Sequence, residues 1–166
     1  MFPRHNGVMD EMLFDQVAEA TRTLVPDDLG TLHLRARRWA LKAWFGPGNP
    51  TPEHYEAQLL GPKDVPQATL LGLEIGFHAE HKQPADNDAC LARIRAAGSG
   101  WLADLGPEAE VGGFIGRPDQ WRRVSEVWID PDLTDEAMAW EIAARLTDYI
   151  LAIEPVRVTP VGHRTP

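Results

Sequence analysis

Cysteine is nearly absent from these 166 residues, and Cys90 stands alone. A single thiol closes no intramolecular disulfide, which fits a reducing compartment, so a cytoplasmic location is expected. No apolar run approaches the roughly 18 residues that a membrane span requires. The opening MFPRHNGVMDEM has one arginine, then acids, and no apolar h-region, so a secretory leader is not expected there. Basic residues are also in short supply. Against 25 Asp and Glu there are 16 Lys and Arg, and the net charge of −9 repels a phosphate backbone. Neither nucleic acid nor a membrane is an expected partner.

Signatures of common chemistries are missing as well. Ser99 and Ser125 lack a G-x-S-x-G setting, and Cys90 has no histidine near it in sequence. The run from Gly112 to Gly116 lacks the Lys-Ser/Thr of a phosphate loop and reads as a turn or bulge. No cofactor and no metal are called for by any complete motif.

What is present suits one globular unit: 43% hydrophobic and 25% charged residues in a chain long enough to bury a core. Residues 1–155 are expected to form one α+β domain, with the proline-rich 156–166 as a poorly packed tail. Met9, Met12, Leu13, Val17, Ala20 and Leu24 follow a helical face, which Pro26 closes. Thr31 to Phe45 reads as a long strand whose apolar phase slips near Arg37 and Arg38, as a bulge would make it. It also carries Arg35, Arg37, Arg38 and Lys42 with no acid among them, an exception to the acidic balance.

GPGNPTP then leads to a strand over His54 to Leu60, and GPKDVPQ to another over Ala68 to Lys82. In the latter, Leu71, Leu73, Ile75, Phe77 and Ala79 alternate with Glu74, Gly76, His78, Glu80 and Lys82, the pattern of a half-buried strand. Tight hairpins put Trp39, Leu41, Phe45, Tyr55, Leu59 and Phe77 on the core side. Lys42, Trp44, His54, Glu56, Glu74, His78 and Glu80 fall on the other side, with Glu56 beside Lys42. A second helix follows from about Asp86 to Leu105, where Gly98 and Gly100 suggest close packing or a break. Two strands, Glu108 to Ile115 and Trp121 to Ile129, precede a third helix from Thr134 to Pro155. The order αβββαββα specifies an antiparallel sheet with helices mainly on one face.

Fragments of catalytic motifs lie on the Ala68 to Lys82 strand. His78-Ala79-Glu80 is the H-x-E half of the zinc nucleoside deaminase signature, but the P-C-x-x-C half is missing. Glu80-His81-Lys82 has the form of the E-x-K in a metal-dependent nuclease core, for which Glu56 would be the second acid. Solvated charges at a strand end account for it more simply. His54, Glu56 and His78 could join as a carboxylate and imidazole metal cluster, although a Lys42–Glu56 ion pair needs less machinery.

The element order is also that of small secretion chaperones and related dimeric α+β domains, an analogy without a shared motif. The leading expectation is therefore a non-enzymatic, protein-binding or chaperone-like domain, a homodimer or a partner of another protein. Its binding face would include Trp44, His54, Glu74, His78, Trp128 and Trp140, on an open sheet face or the third helix. The alternative is a divalent-metal-dependent, nuclease-like hydrolase using Glu56, Glu80 and Lys82.

Overall fold

The computed structural model describes residues 11–158. Strands β1 (Leu32–Ala36), β2 (Ala40–Phe45), β3 (Glu53–Leu60), β4 (Gly72–Ala79), β5 (Glu110–Phe114) and β6 (Arg117–Ile129) form one antiparallel sheet, in the order β1-β2-β3-β4-β6-β5. Helices α1 (Leu13–Leu24), α2 (Pro84–Arg95), α3 (Gly100–Leu105) and α4 (Met138–Arg157) complete the fold. The α+β class and the helix-covered sheet are as the sequence predicts. Among the described residues no helix is long and apolar enough to cross a membrane.

Three elements differ from the expected order, each for a local reason. The long strand over Thr31 to Phe45 is two strands, because the backbone reverses at Arg37 to Trp39, where Arg37 N–H donates to the Ala40 carbonyl. The phase slip is this reversal: Leu32, Leu34 and Ala36 pair with Phe45, Ala43 and Leu41 on one face. Trp39, expected in the core, sits in that turn, exposed, under the Arg38 guanidinium. The second helix breaks into α2 and α3 at Gly98, whose φ of 96° lies in the left-handed region that glycine tolerates. Pro155 does not stop α4. It lies in the last turn, where a missing N–H costs one surface hydrogen bond, and Arg157 anchors that turn to Glu154 and Glu53. Of the tail expected over 156–166, Val156 and Arg157 are the last residues of α4, and 159 onward lies outside the described residues.

The core fills the space between helices and sheet. Leu41, Tyr55, Ile75 and Phe77 from the strands meet Phe14, Ile94, Ile142 and Ile150 from the helices, all buried. Every fully buried side chain of Leu or Ile size contributes on the order of 2 kcal/mol through lost apolar hydration. The strict alternation of β4 makes this possible, since its odd residues all enter the core.

The opposite face of β4 is not open. Val65, from the loop after β3, would lie 3.0 Å from any Cβ placed at Gly72. The Asp130 carboxylate fastens that loop by accepting the N–H groups of Thr69, Leu70 and Leu71. At the other end the β5–β6 hairpin has a register shift at Gly113/Phe114. Phe114 then stands edge-on to His78 at 4.7 Å, and Trp121 stands edge-on to Phe114 at 5.2 Å. As a result every residue of β4 is buried, on both faces.

Candidate metal centre

Beneath that cover the sheet holds a cluster of imidazoles and carboxylates. The register pairs His54 with His78, Glu56 with Gly76, and Lys42 with Glu56, so alternation brings the even-numbered side chains of β2, β3 and β4 together. The parity expected from the hairpins, including the Lys42–Glu56 neighbourhood, is the observed one. His54, Glu56, His78 and Glu80 each present one ligand-type atom, and these atoms lie within 4.8 Å of one another.

Each imidazole has one nitrogen committed to a partner that can only accept. His54 Nδ1 lies 2.9 Å from the Thr51 carbonyl, so it carries the hydrogen. His78 Nε2 lies 3.1 Å from Glu74 Oε1, and Glu74 remains ionised despite its burial. Burial alone would raise the pKa of Glu74, but His78, Gln58 and Ser125 outweigh it and hold it to about 2. The other nitrogens, His54 Nε2 and His78 Nδ1, are buried without a hydrogen-bond partner. Glu80 approaches His54 Nε2 to 2.5 Å and Glu56 to 3.4 Å, ion-pair distances for a protonated ring. His78 Nδ1 is 4.0 Å from the same Glu56 oxygen.

Two imidazole nitrogens and two carboxylates thus surround a common space. A neutral imidazole would aim a lone pair at an anion, so the space requires positive charge, either a proton or a cation. Burial disfavours a charged His54, but Glu56 and Glu80 overcome it and raise its pKa to about 9. Glu80, in turn, is drawn below the usual carboxylate range: burial opposes this, and His54 prevails.

The surroundings orient these four residues. Glu74 accepts from Gln58 Nε2 and from Ser125 Oγ, both at 2.7 Å, while Arg123 donates to Ser125 Oγ at 2.7 Å. Ser125 gets this close because Gly76 faces it. A Cβ on Gly76 would fall 2.3 Å from the Val124 carbonyl oxygen. His78 is fully buried and His54 is 2% exposed, whereas Glu56 and Glu80 keep 12% and 16%. Access is therefore from the carboxylate side.

The residues expected at a site separate into two groups. Glu56 and Glu80 converge, joined by His54 and His78, with Glu74 behind His78. Lys82 is exposed beyond the end of β4 and outside the cluster; Lys42 instead stands 3.7 Å from Glu56. The tryptophans share no common face. Trp44 is 3% exposed, donates to the Pro47 carbonyl and stacks on His33, while Trp128 is partly buried and donates to Glu126. Only Trp140 among the three is open to solvent, on α4. Thr51, Gln58 and Ser125, which fix the cluster, carried no sequence signal beyond their parity or loop position. Cys90 is buried, and burial together with nearby Glu53 pushes its thiol up to about 12, unsuited to nucleophilic work.

No family model matches this chain, and neither a curated protein nor a solved structure does.

Proposed function

We propose that this protein binds one divalent transition-metal ion through His54, Glu56, His78 and Glu80 and is a metal-dependent enzyme of hydrolytic type. The observation that carries the reading is the convergence of two buried imidazole nitrogens and two carboxylates, whose ligand-type atoms lie within 4.8 Å of one another. Two nitrogen and two oxygen donors suit zinc or a neighbouring first-row ion, and two carboxylates neutralise its charge. Glu74, on the far side of His78, matches the carboxylate–imidazole arrangement that fixes tautomer and ring orientation in metal sites. Such an ion, when bound, supplies Lewis acidity and lowers the pKa of coordinated water. The chain's own groups do the rest: Glu74 and Thr51 hold the rings, Phe114 and Trp121 keep water from the His78 side, and the carboxylate side stays accessible.

Calorimetry with zinc and with manganese tests the reading. It predicts one site per chain, removed by His54→Ala together with His78→Ala, and metal-dependent turnover in a hydrolase screen. Absence of saturable binding for both ions would sink it. A second reading, docking of a protein on the outer face of α4, rests on exposed Trp140, Leu151 and Val158. Light scattering that shows a dimer dissociated by Trp140→Ala would support it.

A further inference from the structure

The basic stretch that stands out in the sequence lies against the proposed metal centre. Arg35 of β1 is the register partner of Lys42 of β2, and Lys42 in turn is the partner of Glu56 of β3. With Arg37 and Ala40 these residues line one concavity at the edge of the sheet. Three cations therefore face a groove whose lining contains a single acid, Glu56. Like charges directly across a strand pair repel, so the arrangement costs stability unless an anion occupies it. Glu56 offsets part of that charge, and the oxygen that stands 3.7 Å from Lys42 is the same one that approaches His54 and His78. One carboxylate against three cations still leaves the groove with a net positive wall. Arg35 is steadied over the Trp44 ring, with its guanidinium 5.7 Å from the centroid.

We propose that this groove binds the phosphoryl group of a small phosphate ester and presents it beside the metal centre; the placement relative to the metal rests on the reading above, the anion site does not. Guanidinium forks match phosphate oxygens in pairs, and Lys42 adds a point charge. A small ester fits better than a nucleic acid backbone, because the net charge of −9 repels an extended polyanion whereas a short anion meets only the local field. Glu56 is shared: one of its oxygens lies near Lys42 of the groove and near both imidazoles.

The test uses phenyl phosphate and inorganic phosphate as probes of the full chain after chelator treatment and dialysis, followed by amide NMR. Saturable shifts centred on Arg35 to Lys42 are expected. Arg35→Ala with Arg37→Ala should weaken binding by about tenfold or more, Arg35→Lys by less, and Lys63→Ala outside the groove should leave it unchanged. Circular dichroism confirms that each variant is folded. Zinc affinity of the double variant should stay within about twofold of the parent, since none of the four ligands is altered. Phosphate binding without zinc binding would support the groove and overturn the metal reading. Zinc binding without saturable phosphate shifts would do the reverse. Tighter, arginine-dependent binding of a single-stranded oligonucleotide than of phenyl phosphate would overturn the assignment to a small ester.

Discussion

Neighbouring residues of β3 anchor two charged clusters on opposite faces of the sheet. On the helix side, Glu53 meets Arg93 at 2.8 Å, Arg157 at 3.2 Å and His81 at 2.7 Å, and Arg157 meets Glu154 at 2.6 Å. Tyr55 Oη closes the set by donating to Glu154 at 2.7 Å. Burial would raise the pKa of Glu53, but His81, Arg93 and Arg157 together lower it. On the other side, His54, Glu56, His78 and Glu80 are equally close-set, yet two ring nitrogens have no hydrogen bond. The difference teaches what each cluster is for. Guanidinium and carboxylate satisfy one another and staple α2 and α4 to β3. Imidazoles and carboxylates of the second cluster come into balance only with a proton or a cation among them.

The largest expected effect comes from breaking the staple. Arg157→Ala leaves Glu53 and Glu154 short of a partner in a mostly buried place and should cost about 3 kcal/mol in urea unfolding, while zinc affinity is unchanged. Close behind, Gly76→Ala would drive β6 away from β4 and cost about 2–3 kcal/mol, and it should also weaken metal binding, since Ser125 would leave Glu74. His54→Ala acts on the other cluster. It should reduce metal affinity by roughly a hundredfold or more, by loss of a ligand, and below about pH 9 it should also destabilise the metal-free chain, which loses the protonated ring between Glu56 and Glu80. Glu74→Gln, behind the ligands, should reduce affinity by about ten- to a hundredfold.

Proton competition separates the clusters by pH. In the metal-free chain His54 has its pKa raised from 6.5 to about 9, so its stabilising contribution is complete below 6.5 and fades as pH rises through about 9. Metal must displace that proton, so His54 alone should make affinity rise by about tenfold per pH unit below about 9. Metal-loaded chain therefore gains stability where metal-free chain loses it. The Glu53 staple behaves oppositely: its contribution holds above the ordinary value of 4.5 and is lost as pH falls through the lowered pKa. Thermal melts from about pH 2 to 10, with zinc added in the neutral and alkaline part of the series, check both signs.

Parity carried much of the site. Because β2, β3 and β4 are consecutive hairpins, alternation alone places Lys42, His54, Glu56, His78 and Glu80 on one face, and the observed register agrees. What alternation does not specify is what lies over that face. The cover depends on the bulged β5–β6 hairpin and on a loop held by Asp130, whose φ of 45° is unusual for a residue with a side chain. Trp44 accordingly reads as exposed from its phase, although His33 and the Pro47 carbonyl enclose it. The turn at Arg37 to Trp39 was legible only as a phase slip, since no glycine or proline marks it. The E-x-K triplet misleads for a related reason: β4 ends at Ala79, which leaves Lys82 beyond the sheet.

Nitrogen NMR of the two imidazoles addresses the central claim most directly. With one equivalent of zinc at pH 7.5, His54 should carry its hydrogen on Nδ1 and His78 on Nε2, and the shifts of His54 Nε2 and His78 Nδ1 should move to metal-bound values. If both rings stay doubly protonated in the presence of zinc, the cluster is an ion-pair network and the account is wrong.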